Sequence, residues 1–127
     1  MDVFFGEAKF SGKKEVTVNG QTLKFKKCVI ATGGRPYVPF VPGIQDIPHF
    51  TSESIFNLVD LPSKILVVGA GPIGCELGQS FARLGSQVVM VDTSEYILKK
   101  EDQDAAKILQ EQMLIDGVNL KMKSKLL

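Results

Sequence analysis

The stretch ILVVGAGPIGCE, residues 65–76, decides the fold. Its four bulky apolar residues lead directly into the spacing G-x-G-x-x-G. The glycines of that spacing are Gly69, Gly71 and Gly74. A short apolar run that ends in glycines is typical of a buried β-strand followed by a tight turn into a helix. The sequence therefore predicts a strand–turn–helix unit at this point.

The segments around this unit predict an alternation of strands and helices. The predicted elements are a short helix from Thr51 or Ser52 to Leu58, a strand at Lys64–Val68, a helix over 72–84, a strand at Gln87–Val91, a helix from about Asp102 to Asp116–Gly117, and a strand at Val118–Met122. The helix over 72–84 is expected to bury the apolar positions Ile73, Leu77, Phe81 and Leu84. Strands alternating with helices indicate a parallel sheet, so the predicted class is a three-layer α/β fold with a Rossmann-like βαβ unit.

The glycine turn has the features that a bound dinucleotide requires. Gly69 permits a sharp turn, Gly71 lets the backbone approach a pyrophosphate, and Gly74 lets the helix pack against the strand. The start of the helix adds backbone N–H groups and a partial positive charge for the phosphates. Pro72 suits the first helical position, where its missing N–H is no loss. The predicted NAD-binding residues of the turn are Gly69, Ala70, Gly71, Pro72, Ile73 and Gly74.

Asp92 stands at the end of the next predicted strand, 18 residues after Gly74. A ribose-binding acid is expected about 20 residues beyond such a turn. Its carboxylate can accept hydrogen bonds from both ribose hydroxyls and would repel a 2′-phosphate, which favours NAD(H) over NADP(H). A solvated turn aspartate is the alternative interpretation. Lys99 and Lys100 have two interpretations: both are solvated, or one of them reaches a 2′-phosphate with its ammonium group.

Composition excludes several classes of function. Apolar residues make up 44% of the chain and charged residues 23%, with a net charge of +1. Bulk charge therefore indicates neither a nucleic-acid partner nor a membrane surface, and no apolar run approaches the roughly 18 residues of a membrane span. The N-terminus has no signal-peptide pattern, so we expect a cytoplasmic protein.

Cys28, Cys75 and His49 form no metal-ligand spacing, so no metal site is expected, and both cysteines are expected to be inert packing residues.

The first part of the chain predicts an antiparallel β-meander. Strands are expected to begin at Val3–Phe5 and to cover Glu15–Val18 and Thr22–Phe25. Asn19-Gly20 between the last two indicates a hairpin turn, because both central residues of a type I′ turn need positive φ. A fourth strand at Cys28–Ala31 is apolar throughout, which predicts burial on both faces.

A proline- and glycine-rich segment separates the two patterns. It contains Pro36, Pro39, Pro42 and Pro48, and neither a helical nor a strand period crosses it. A composition of this kind favours a stiff linker between domains. We therefore divide the chain into 1–35, a linker at 36–50, and 51–127.

Two motifs in this order resemble the pyridine nucleotide-disulfide oxidoreductases, the flavoproteins that include glutathione reductase, lipoamide dehydrogenase and mercuric reductase. The first motif is a strand ending in Ala-Thr-Gly-Gly-x-Pro, within VIATGGRPYVPFVPGI at residues 29–44. The second is LPSKILVVGAGPIGCELGQSFARLG at residues 61–85, which carries the dinucleotide turn. The sequences of these two segments are most similar to the mercuric-reductase-like branch of the family. The resemblance extends over nearly the whole chain.

The resemblance implies a role for each part of the chain. Residues 1–35 would form the C-terminal part of an FAD-binding domain, in which Ala31, Thr32 and Gly33 lie against FAD. Residues 51–127 would form the NAD(P)H-binding domain. Glu76 matches a family glutamate that orients the nicotinamide. An ordinary first-turn glutamate, favoured by the helix dipole, is the alternative.

Other parts of the family pattern do not occur in this sequence. They are the first FAD-binding glycine turn, the redox dithiol C-x-x-x-x-C and the dimerisation domain. We therefore expect an internal fragment that is incomplete as a catalyst. It is expected to contain no catalytic residue, and Glu76 is the one residue with a candidate role near the reaction, that of orienting the nicotinamide. The expected partners are dinucleotide cofactors, NAD(H) here and FAD in the complete enzyme, which the family implies to be a homodimer.

Three functions are compatible with these observations. The first is part of an NAD(P)H-dependent flavoenzyme that passes hydride to FAD, and electrons from FAD to a disulfide or metal ion. The second is a non-catalytic dinucleotide-binding remnant. The third is a piece of a flavin NADH dehydrogenase or oxidase that lacks the dithiol.

Overall fold

The computed structural model describes residues 1–126. The chain divides into two compact units, Met1–Arg35 and a larger one that begins at Pro36. The first contains an antiparallel sheet and the second a parallel sheet with helices. The predicted α/β class with a preceding β-meander is confirmed. The assignment of the first unit to an FAD-binding domain stays a prediction.

The first unit is a three-stranded meander with neighbouring strands adjacent in sequence. Its strands are β1 (Ala8–Gly12), β2 (Glu15–Val18) and β3 (Gln21–Lys24). Val18 pairs with Gln21 across the hairpin, so the turn contains only Asn19 and Gly20. Their φ angles are 50° and 78°, as a type I′ turn requires, and the hairpin prediction is confirmed.

Two predicted strands of this unit are wrong. The first strand, expected to begin at Val3–Phe5, begins at Ala8 instead, and the Phe5 carbonyl accepts a hydrogen bond from the side-chain amide of Asn19 at 2.6 Å. Cys28–Ala31 is neither a strand nor buried, and Val29 is 88% exposed. An apolar strand needs neighbours on both sides and cover on both faces. No strand within residues 1–126 pairs with it.

The second unit contains the predicted βαβ arrangement. Its elements are β4 (Lys64–Val68), α1 (Pro72–Leu84), β5 (Gln87–Val91), α2 (Gln103–Ile115) and β6 (Asn119–Lys121). The strands are parallel in the order β4-β5-β6. The bounds of β4, α1 and β5 agree with the sequence prediction. The predicted helix from Thr51 or Ser52 to Leu58 is wrong in length, because only the single 3₁₀ turn Ile55–Asn57 forms there.

The core of this unit lies between the sheet and its helices. Its buried side chains are Val88, Met90, Ile97, Met113 and Val118, together with Cys75 and Ala70. Helix α1 approaches the sheet through Gly78, where an added Cβ would lie 2.8 Å from Met90 Cε. The predicted buried face of α1 is partly wrong, because Ile73 is 57% and Leu84 is 68% exposed. The face of α1 that contacts the sheet is instead the one that carries Gly78 and Cys75.

A charged cluster joins the ends of α1 and α2. Arg83 donates to Asp116 Oδ2 from Nε at 2.8 Å and from Nη2 at 2.7 Å, and Gln79 donates to the same oxygen at 2.7 Å. Gln112 donates to Asp116 Oδ1 at 2.9 Å. Burial raises the pKa of the Asp116 carboxyl, but the donors from Arg83, Gln112 and Gln79 outweigh it and hold the pKa below its ordinary value.

We expect Asp116→Asn to lower the melting temperature at pH 7 by a few degrees, because it removes the charge that Arg83 contacts. A carboxyl whose folded pKa is depressed stabilises the fold above its unfolded pKa, near 4, and loses this effect as pH falls through the folded value. Thermal unfolding should therefore show a deficit that shrinks from pH 7 toward pH 3. The exposed Asp60→Asn is the control. A deficit equal to that of the control at pH 7 would refute the role.

Candidate functional site

The turn between β4 and α1 has the backbone that its glycines predict. Gly69 has a φ of 105°, a conformation that other residues rarely adopt. Gly71 is extended and precedes the first helical residue, Pro72. A Cβ on Gly74 would overlap the carbonyl oxygen of Gly69, whereas a Cβ on Gly71 would meet nothing within 4 Å. The turn is therefore tight on the protein side and open on the other.

Ala70 links this turn to the rest of the unit. Its N–H donates to Asp92 Oδ2 at 2.8 Å, and its carbonyl accepts a hydrogen bond from the Leu98 N–H at 2.8 Å. The same carbonyl also accepts from Cys75 Sγ at 3.5 Å. Ala70 is buried, and its backbone N–H and carbonyl are both satisfied by protein, as buried polar groups require. The predicted site residues Ala70, Gly71 and Asp92 thus lie together.

Asp92 is held in place by hydrogen bonds to both of its carboxylate oxygens. Oδ2 accepts from Ala70, and Oδ1 accepts from Ser94 N–H at 2.7 Å and from Ser94 Oγ at 2.6 Å. Burial raises the pKa of the Asp92 carboxyl, but these donors and the nearby Lys99 ammonium outweigh it and hold the pKa below its ordinary value. Asp92 is therefore an anion at neutral pH, beside the glycine turn.

Sequence reasoning missed Ser94. The signal that could have found it is the spacing Asp-x-Ser, because an aspartate side chain often accepts hydrogen bonds from the residue two positions later. The backbone of this loop is fixed from the other side: Lys123 N–H donates to the Ser94 carbonyl at 2.8 Å, and Ser124 N–H donates to the Asp92 carbonyl at 2.9 Å.

The first turn of α1 presents several exposed groups. Pro72, Ile73 and Glu76 are exposed, and no side chain caps the N-terminus of the helix. Pro72 has no N–H and the Cys75 N–H donates to the Gly71 carbonyl, so the backbone N–H groups of Ile73 and Gly74 are the ones available to a ligand. Ser80 Oγ donates to the Glu76 carbonyl, so the backbone of Glu76 is engaged while its carboxylate faces solvent. The nicotinamide-orienting role of Glu76 stays a prediction.

The residues predicted for FAD lie in the first unit. Ala31, Thr32 and Gly33 are exposed and have irregular backbone, with a φ of 71° at Gly33. At this φ, Gly33 adopts a backbone conformation that is unfavourable for residues with a side chain. Their contact with FAD stays a prediction.

The two cysteines differ in environment. Cys75 is 2% exposed in the core, and burial, together with the carboxylates of Asp92 and Glu76, raises its pKa to about 11. Cys28 is exposed. The prediction of an inert packing residue therefore agrees with the position of Cys75. It is wrong for Cys28, because the strand that would have buried it does not form.

We expect one thiol of the folded chain to react rapidly with a disulfide reagent at pH 7.5, and the second to react only after unfolding. The physical reason is that the thiolate is the reactive form and is disfavoured in the core. Counting released thiolate by absorbance, with and without denaturant, measures this. In Cys28→Ser the rapid phase should vanish. Its persistence would place Cys75 in an accessible site.

No helix within residues 1–126 is long and apolar enough to cross a bilayer. Across the same residues, no group of three metal-ligating side chains comes together.

A parallel sheet, a strand–glycine turn–helix unit and an acid at the end of the next strand define the class of Rossmann-like α/β folds. The family model described as "Pyridine nucleotide-disulphide oxidoreductase" matches residues 1–126. The chain belongs to this family.

Individual relatives agree with that assignment. The chain is 38% identical to a mercuric reductase of Staphylococcus aureus, over 94% of this chain and 22% of the relative. It is 34% identical to a dihydrolipoyl dehydrogenase of Bacillus subtilis (strain 168), over 99% and 28%. The structure of the HOCl-induced flavoprotein disulfide reductase RclA from Escherichia coli matches with a TM-score of 0.77 and 31% identity, over 98% and 29%. The chain thus spans less than a third of each relative.

Proposed function

We propose that the second unit binds the pyridine nucleotide of an FAD-dependent oxidoreductase, from which hydride passes to the flavin. The observation that carries this proposal is the glycine turn, which is closed against the protein at Gly74 and open at Gly71. A diphosphate would lie over Gly71 and accept hydrogen bonds from the uncapped N–H groups at the start of α1. Family membership supports this chemistry, in which the nucleotide would donate hydride and FAD would accept it.

Asp92 would hold the adenosine ribose of this nucleotide. Its carboxylate lies one hydrogen bond from Ala70 in the turn, so a sugar attached to a diphosphate at Gly71 would reach it. Because Asp92 is ionised, a 2′-phosphate would be repelled, and we propose NAD(H) as the preferred cofactor over NADP(H). The ammonium of Lys99 acts in the opposite direction and reduces this preference without reversing it, since it is exposed whereas the Asp92 carboxylate is hydrogen-bonded to the turn.

We propose further roles in a complete flavoenzyme that would contain this chain. Ala31, Thr32 and Gly33 would contact FAD, and Glu76 would orient the nicotinamide. Electrons would pass from the flavin to a disulfide or to a metal ion. The isolated chain would bind nucleotide without turnover. A homodimeric parent and a cytoplasmic location complete the proposal.

Asp92→Ala should weaken NADH binding by about 1–3 kcal/mol, the cost of losing a charged hydrogen-bond partner. Calorimetric titration of the chain with NADH, NADPH and FAD provides the measurement. The wild type should bind NADH more tightly than NADPH, and Asp92→Ala should reduce that difference. Asp60→Ala, on an exposed loop residue, is the control. No binding of NADH by the wild type, or equal affinity for Asp92→Ala, would reject the proposal.

A further inference from the structure

The carboxylate of Asp92 is almost saturated before any sugar arrives. A carboxylate offers about four acceptor positions. Three of these positions are already occupied: Ala70 N–H donates to Oδ2, and Ser94 N–H and Ser94 Oγ donate to Oδ1. The two hydroxyls of a ribose need two acceptor positions, so one of the present donors must leave when the sugar binds.

Only one of the three donors can leave at low cost. The Ala70 N–H belongs to a buried residue whose own carbonyl is also hydrogen-bonded, so the backbone at Ala70 is fixed on both sides. The Ser94 N–H is fixed because the loop backbone is hydrogen-bonded to Lys123 and Ser124. The Ser94 hydroxyl, in contrast, is released by rotation of a single side-chain torsion to another staggered position. It is the donor that a sugar hydroxyl can replace.

We propose that the Ser94 hydroxyl occupies the position of a ribose hydroxyl and competes with the adenosine ribose for Asp92. This inference rests on the proposed function, in which Asp92 binds that ribose. Ser94 accordingly lowers the affinity of Asp92 for the sugar instead of contributing to it.

The opposite role, in which Ser94 Oγ orients Asp92 for the ligand, does not follow from the geometry. Two backbone donors, Ala70 N–H and Ser94 N–H, already hold one carboxylate oxygen each. Removing the hydroxyl leaves both in place, so the carboxylate keeps its orientation and gains a free acceptor position.

The test compares two ligands on four forms of the full chain. Calorimetry measures the affinity of NADH and of an NADH analogue whose adenosine ribose lacks both hydroxyls, for wild type, Ser94→Ala, Ser94→Thr and Ser63→Ala. Ser94→Ala should bind NADH about three- to tenfold more tightly than wild type, with no gain for the analogue. Ser94→Thr retains the hydroxyl and should bind like wild type, and so should Ser63→Ala, a change at an exposed position before β4.

The outcomes separate this inference from the function on which it rests. Unchanged or weaker NADH binding by Ser94→Ala, while Asp92→Ala still weakens it, overturns the competition and leaves the ribose site standing. An equal gain for NADH and the dideoxy analogue also overturns it, because a general effect on the loop would not depend on the sugar hydroxyls. Absence of NADH binding by the wild type, or indifference to Asp92→Ala, refutes both.

Discussion

Gly74→Val should lower the free energy of unfolding by about 3 kcal/mol or more, the largest stability effect that the turn predicts. A Cβ at this position would overlap the carbonyl oxygen of Gly69 and lie 3.5 Å from Val67 Cγ1. Backbone atoms cannot rotate away as the end of a side chain can, so α1 would have to move off β4. The two methyl groups of valine would add to the displacement.

Urea unfolding followed by circular dichroism measures this effect. Ile73→Val is the matched control, because it places the same side chain one residue earlier, on an exposed position. It should change stability by less than about 0.5 kcal/mol. Gly74→Ala should fall between the two, since dinucleotide turns with alanine at the third position occur. Stability of Gly74→Val equal to that of the control would show that α1 does not pack closely on the turn.

Gly71→Asp should weaken NADH binding strongly while leaving the fold intact. The residue is extended, precedes α1 and has open space beside it, so aspartate fits and can cap the helix about as well as glycine does. Its carboxylate would then occupy the place of the diphosphate. Like charges brought together at a binding site cost several kcal/mol, so the affinity should fall by about 100-fold or more.

The control for Gly71→Asp carries the same added charge at the other end of β4. Ser63→Asp lies before the strand, whereas the turn follows it, so the two positions are about 17 Å or more apart along the strand. Ser63→Asp should bind NADH within about twofold of wild type. Unfolding curves of both variants should match wild type within about 0.5 kcal/mol. Retained NADH affinity in Gly71→Asp would exclude the turn as the diphosphate site.

The elements that the sequence predicted well are those determined by neighbouring residues. Pro72 and Gly85 mark the ends of α1 because of their own backbone preferences, and Asn19-Gly20 sets its turn for the same reason. The glycine spacing with Asp92 likewise places the candidate site, since a parallel βαβ unit brings the ends of adjacent strands together.

Contacts distant in sequence account for the failures. Cys28–Ala31 has the composition of a buried strand, yet pairing depends on neighbours that no local pattern reveals. The exposed position of Ile73 follows from Gly78, which allows α1 to approach Met90 on another face. Ser94 was missed because a serine in a polar loop has no periodicity, and its one sequence signal, the Asp-x-Ser spacing, is local and does not show the 2.6 Å contact with Asp92.

The most direct test of dinucleotide binding at the glycine turn is a titration of the ¹⁵N-labelled chain with NADH, followed residue by residue by NMR. If the glycine turn binds the diphosphate, the largest amide shifts should occur at Gly71, Ile73 and Gly74, with smaller ones at Ser94, while Gly20 in the hairpin stays unchanged. Saturable shifts elsewhere with none at the start of α1, or no shifts at millimolar NADH, would contradict a dinucleotide site at this turn.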